Sequence, residues 1–187
     1  MRRYLLAACL LLPSVLAFAE DGNQATDPTY AVKVVIDMAA HNAAISPDDQ
    51  KAVYQDYFDP GMLLMYYSQS FTAGVVEALM NQKRGYSQML LDHDAIVGGQ
   101  DGCPLKNIRY TTGKESKDVV PVTVTFEAFY CLSTEAWAKK PVEVVFDVRR
   151  EGPDAESMLY YVDDIHHTAG DGTVESLKEL FGLLAKE

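Results

Sequence analysis

The chain has 187 residues and sets 27 acidic against 16 basic side chains, for a net charge of −11. That balance argues against nucleic acid and anionic lipid as partners. The length suits one domain with a sizeable core.

Arg2 and Arg3 precede an apolar run over residues 4–15, and Ala17-Phe18-Ala19 supplies the small residues that signal peptidase reads. The run is shorter than the roughly 20 residues of a spanning helix. Residues 1–19 therefore read as a cleavable leader with the cut before Glu20. Leu6-Ala7-Ala8-Cys9 also spells an acylation site, but too little apolar sequence precedes the cysteine. Past the leader no stretch is apolar enough to cross a membrane. The rest is an exported chain more acidic still, with 20–27 as a polar linker and 28–187 as a single domain. Its remaining cysteines, Cys103 and Cys131, are expected to form one disulfide in an oxidising compartment. No cysteine or histidine spacing offers a metal site, and nothing calls for a cofactor.

Asp27-Pro28 predicts a cap and first helical position, with Ala31, Val34, Val35 and Met38 at helical spacing. Ser46-Pro47 predicts a second helix carrying Val53, Tyr54, Tyr57 and Phe58, which Asp59-Pro60 ends. A third, long helix is expected over 62–83, closed by Gly85, with Gly74 as a kink or close contact. Residues 89–96 are ambiguous and 98–102 form a loop. From there the period changes to two. Strands are expected over 107–112, 120–131, 142–148 and 157–167, with Pro121 at a sheet edge or bulge and a turn at 151–154. Thr173 is expected to cap a last helix carrying Leu177, Leu180, Phe181 and Leu184. Helices, then adjacent strands, then one helix make an α+β fold: N-terminal helices on a curved, cone-like antiparallel sheet, with one C-terminal helix.

Asp92, Asp94, Gln100 and Asp101 form the densest polar cluster before the sheet. They suit a cation or an acid–base pair, and equally the capping of loop backbone. The stretch fails as a calcium loop because Ile96 and Val97 stand where a ligand and a turn glycine belong. On the last strand Asp164 and His166 share a face, the one carboxylate–imidazole pair placed by spacing. Consecutive His166 and His167 point to opposite faces, and His41 and His93 are isolated. Tyr54, Tyr57, Tyr66, Tyr67, Tyr160, Tyr161 and Trp137 are core aromatics or pocket walls.

Three stretches together resemble a known family. They are Leu90-Leu91-Asp92-His93-Asp94-Ala95-Ile96 with Gly99-Gln100-Asp101; the paired strands at 122–126 and 142–148; and Tyr160-Tyr161-Val162-Asp163-Asp164-Ile165 leading into Gly170-Asp171-Gly172. The family is the exported bacterial domain of unknown function 3828, itself similar to the nuclear transport factor 2-like cone. The resemblance covers most of 28–185. It departs at Tyr160 or Tyr161, where tryptophan is expected, and in the cysteine pair. It implies a periplasmic location and a fold, but no activity.

The resulting expectation is a non-enzymatic periplasmic binding or accessory domain for a small ligand or an envelope protein. Candidate ligand contacts are Asp92, Asp94, Gln100, Asp101, Tyr67 and Tyr160. Two alternatives stand beside it. One is a cone-pocket hydrolase or isomerase using Asp164 and His166. The other is an inhibitor or immunity protein against a basic wall-degrading enzyme.

Overall fold

The computed structural model describes residues 23–46, 48, 51–81, 91–168 and 172–186. The leader with its cut before Glu20, Pro47, the helix end near Lys83 and Gly85, and the start of the 89–96 stretch lie outside the described residues.

Helix α1 spans Tyr30–Ala43 and buries Ala31, Val32, Val35, Ile36 and Ala39, an i, i+3, i+4 stripe. Asp27 tightens the turn before it, accepting from the Thr29 amide at 2.8 Å. Gln24 pairs with Tyr160 in both directions and reaches the Met65 carbonyl, so the end of the expected linker is tied to the fold.

Of the helix expected over 46–58, the described residues 51–58 run without helical structure. Here a side chain replaces the helical ladder. The Asn42 amide donates to the Gln55 carbonyl at 2.9 Å and accepts from the Gln55 amide at 2.8 Å. An Asn side chain thus satisfies both polar groups of one backbone residue.

The expected long helix is two. α2 spans Pro60–Tyr66, capped by Asp59 through the Gly61 amide, and α3 spans Gln69–Asn81. Between them Tyr67 bridges in parallel to Val162, and the Ser68 amide donates to the Val162 carbonyl at 2.8 Å. Ser68 then restarts the helix, its hydroxyl accepting from the Phe71 amide at 3.1 Å.

Among the described residues five antiparallel strands follow in spatial order β1 to β5: Lys106–Thr112, Val119–Glu127, Val142–Glu151, Leu159–Thr168 and Val174–Ser176. β2 ends at Glu127 rather than reaching Cys131; a turn over 129–132 takes its place. Val122, Val124, Phe126, Val144, Phe146, Val148, Val162 and Ile165 form a buried face, and α1, α2, α3 and the C-terminal helix each contact β4. Phe71 and Phe181 meet edge to face over that core, 5.7 Å between ring centres. Pro121 is inside the sheet rather than at its edge. Its carbonyl accepts from the Gly113 amide just past the end of β1, so the N–H that proline lacks is on the side where β1 has ended.

Two irregularities shape the sheet. Between Lys106 and Arg109, β1 holds one residue more than its partner, with Asn107 at φ 54° and its amide on Glu127. Between β3 and β4 the register passes from Asp147↔Asp164 to Val148↔Val162, which leaves Asp163 as the extra residue. Residues 162–165 are consequently all buried, where simple alternation predicts every second one.

Helix α4 spans Leu177–Leu184. Its cap is Ser176, not Thr173, with the hydroxyl accepting from the Glu179 amide at 3.0 Å. β5, which was not expected, occupies the preceding residues and places Glu175 in the sheet. The Cys103 and Cys131 sulfurs are bonded at 2.06 Å.

Candidate functional site

The loop over 91–102 is organised by Asp94. One carboxylate oxygen accepts from the Ile96 and Val97 amides, both at 2.8 Å, and the other accepts from Tyr57 Oη at 2.7 Å and Tyr54 Oη at 3.4 Å. Its backbone closes the loop through Gly98 and Gly99. Gly98 sits at φ +75°, a conformation that favours glycine. Ala95, Ile96 and Val97 plug into the core beneath. Burial, and then the Asp94 charge, pushes Tyr54 up to about 12 and raises Tyr57 further, so both hydroxyls remain donors.

Asp94 is therefore largely consumed by the fold. Asp92 is exposed, with His93 Nδ1 at 2.7 Å holding its carboxyl below the ordinary value. Gln100 donates to the Asp92 carbonyl at 3.2 Å. Asp92, Asp94, Gln100 and Asp101 converge with Asn42 and Tyr54 on one open groove of about 640 Å³. A second groove of about 650 Å³ lies on the other side of His93 and Val97, lined also by Phe129, Trp137, Glu143 and His167. The Cys103–Cys131 bond and the Cys103 amide, donating to the Ala128 carbonyl at 2.7 Å, fasten the end of this loop to the chain leaving β2.

Tyr67 and Tyr160 are elsewhere. The Tyr67 ring is buried and stacks on Phe71 at 5.0 Å, and its hydroxyl has no hydrogen-bond partner among the described residues; burial raises its pKa. The residue borders a third hollow of about 390 Å³ beside Glu151 and Tyr161. Tyr160 is half-buried under the Arg150 guanidinium, 5.3 Å from its ring centre.

Asp164 and His166 do share a face, with 3.6 Å between Asp164 Oδ2 and His166 Nε2. Asp147, which spacing did not single out, is closer at 3.0 Å. Asp164 accepts from Ser176 Oγ at 2.6 Å and from the Ile165 and Lys178 amides. Its lone pairs thus serve the start of α4. Neither residue lines any of the three grooves described.

The neighbouring Asp163 was passed over in the sequence. It accepts from Ser68 at 2.6 Å, Ser70 at 2.8 Å and Lys178 at 2.7 Å, with Arg149 at 3.5 Å. Burial pushes its carboxyl up, but these bonds and the Lys178 charge outweigh that and hold it below the ordinary value. Among the described residues no group of three or more His, Cys, Asp or Glu side chains is placed to hold a metal ion. No helix among them is long and apolar enough to cross a membrane.

No family model matches the chain, and neither curated proteins nor solved structures give a match.

Proposed function

We propose that the chain is an exported, non-enzymatic binding or accessory domain whose ligand site is the groove beside the 92–102 loop. One observation carries this reading. Four residues picked out as ligand contacts line a single open groove, while Asp164 of the alternative acid–base pair is bound into the start of α4 and His166 is bonded to Asp147. Asp92 and Asp101 are exposed, and Tyr54 adds an aromatic wall. Carboxylates beside an aromatic ring favour an ammonium or guanidinium group, on a small ligand or on an envelope protein. Membership of the domain of unknown function 3828 family, a periplasmic location and cone-like curvature are parts of the same reading. The helices gathered on one sheet face support the last.

Complementation of a deletion phenotype in the producing cell tests it. Asp92→Asn with Asp101→Asn is expected to abolish function at normal export levels, and Asp164→Asn and His166→Ala to leave it largely intact. The reverse pattern would move the site to the end of β4 and establish the enzyme reading. Export is tested separately by the mature N-terminus, expected at Glu20; an acylated Cys9 would refute it.

A further inference from the structure

Trp137 is the only tryptophan in the sequence and is 50% exposed, on a short 3₁₀ turn over Trp137–Lys139 between β2 and β3. Exposure of so large an apolar ring is unfavourable unless something covers it in use. The indole is also oriented: its Nε1 donates to Glu135 Oε2 at 3.0 Å. With its polar handle engaged, the ring offers the second groove an apolar face.

The rest of that groove mixes apolar residues, among them Val97, Phe129, Pro141 and Val142, with side chains that donate and accept. Lys140 and Thr168 supply donors, and Glu143 and Glu175 supply carboxylates. His167 Nε2 lies 2.7 Å from the Ala95 carbonyl. A carbonyl only accepts, so Nε2 carries the proton and Nδ1 of the neutral ring is an acceptor. Burial lowers the pKa of His167, which favours that neutral form. His167 lines the groove beside Gly98, where a Cβ would lie 3.6 Å from Nδ1.

We propose that this groove binds a neutral saccharide, one ring face lying on Trp137 and the hydroxyls bonding to the polar wall. A sugar has the required shape, with an apolar C–H face and a rim of groups that both donate and accept. A nucleotide fits the aromatic face but brings phosphate against Glu143, Glu175 and a chain of net charge −11. An acyl chain leaves the carboxylates and the imidazole without partners. The volume of about 650 Å³ is that of a small-ligand cleft. The assignment does not depend on the ligand proposed for the first groove.

The lone tryptophan makes the test direct. The mature protein is titrated with chitobiose, cellobiose and maltose while Trp137 emission is followed, and binding is measured independently by calorimetry. At least one disaccharide is expected to give a saturable change in emission and a matching heat. Trp137→Ala is expected to weaken that binding about tenfold or more, equivalent to about 1.4 kcal/mol, and Trp137→Phe to retain part of it. Asp101→Asn, in the other groove, is expected to leave it unchanged, which separates this site from the one proposed above. Circular dichroism confirms that each variant is folded. The absence of a saturable signal with all three sugars overturns the proposal, as does undiminished binding by Trp137→Ala.

Discussion

His166 and His167 are adjacent in β4 but are pushed in opposite directions. The bond to Asp147 raises the pKa of His166; burial opposes it, and the Asp164 and Asp147 charges reinforce it. Burial lowers His167, against the Ala95 carbonyl. Both start from 6.5, so the linkage signs differ. His166 binds its proton more tightly when folded. Its contribution is complete below 6.5 and is lost as pH rises through the raised value. His167 resists protonation when folded, so its contribution is complete above 6.5 and falls as pH drops toward the lowered value. Unfolding midpoints in urea across this range are expected to lose their alkaline decline in His166→Gln and their acid decline in His167→Gln. Asp163, also on β4, is shifted too. It is a depressed carboxylate whose contribution is present above the ordinary 3.8 and lost as pH falls below it. Asp163→Ala strands Ser68, Ser70 and Lys178 together. By the usual worth of a hydrogen bond to a charged group, that loss is about 2–3 kcal/mol; Lys178 is partly exposed, which limits it. An unchanged urea midpoint would contradict this role.

At the scale of elements, strands were the more legible part of the sequence, and the reason is local. The alternation of Val120, Val122, Val124 and Phe126 records burial of one face, and burial follows that parity residue by residue. Helices were less legible where distant groups intervene. Val53, Tyr54, Tyr57 and Phe58 fit a helical period, yet Asn42 captures the Gln55 backbone from α1. The 62–83 pattern runs unbroken across Tyr67 and Ser68, and only pairing with Val162 divides it. Ser176 cannot be distinguished from Thr173 as a cap by type alone; the partner that selects it is Asp164. Ser176→Ala is expected to lower stability by about 1–2 kcal/mol through loss of the cap, read in the same urea assay. The disulfide acts on a longer loop. Its cysteines are 28 residues apart, and in the chain-entropy model its removal costs roughly 3–4 kcal/mol. Reduction is expected to lower the melting temperature and to speed hydrogen exchange at the Ile96, Val97 and Gly98 amides, because the loop separating the two grooves loses its tether.

For the whole molecule, the candidate site was legible as an address but not as a shape. The polar residues between 92 and 101 identify the loop, but the groove also needs Asn42 and Tyr54, which approach only after folding. The second groove was less visible still: Phe129, Trp137, Glu143, His167 and Glu175 come from four segments. Its best signal was the lone tryptophan beside a turn. One glycine links the two grooves. A Cβ at Gly99 would lie 3.0 Å from the Phe129 ring, in the wall of the tryptophan groove. Gly99→Ala is therefore expected to displace Phe129 and alter Trp137 emission even without ligand. Identical spectra would show that the ring yields without disturbing the groove.

The extra residue in β1 has a consequence for self-association. β1 is an outer strand, and a regular outer strand is a template on which another molecule's backbone can add. Here Asn107, at positive φ, breaks the run of evenly presented amides and carbonyls, and Lys106 and Arg109 place like charges beside the break. Two copies approaching edge to edge would meet a kinked ladder and mutual repulsion. The irregularity thus works against extension of the sheet by a second copy at β1.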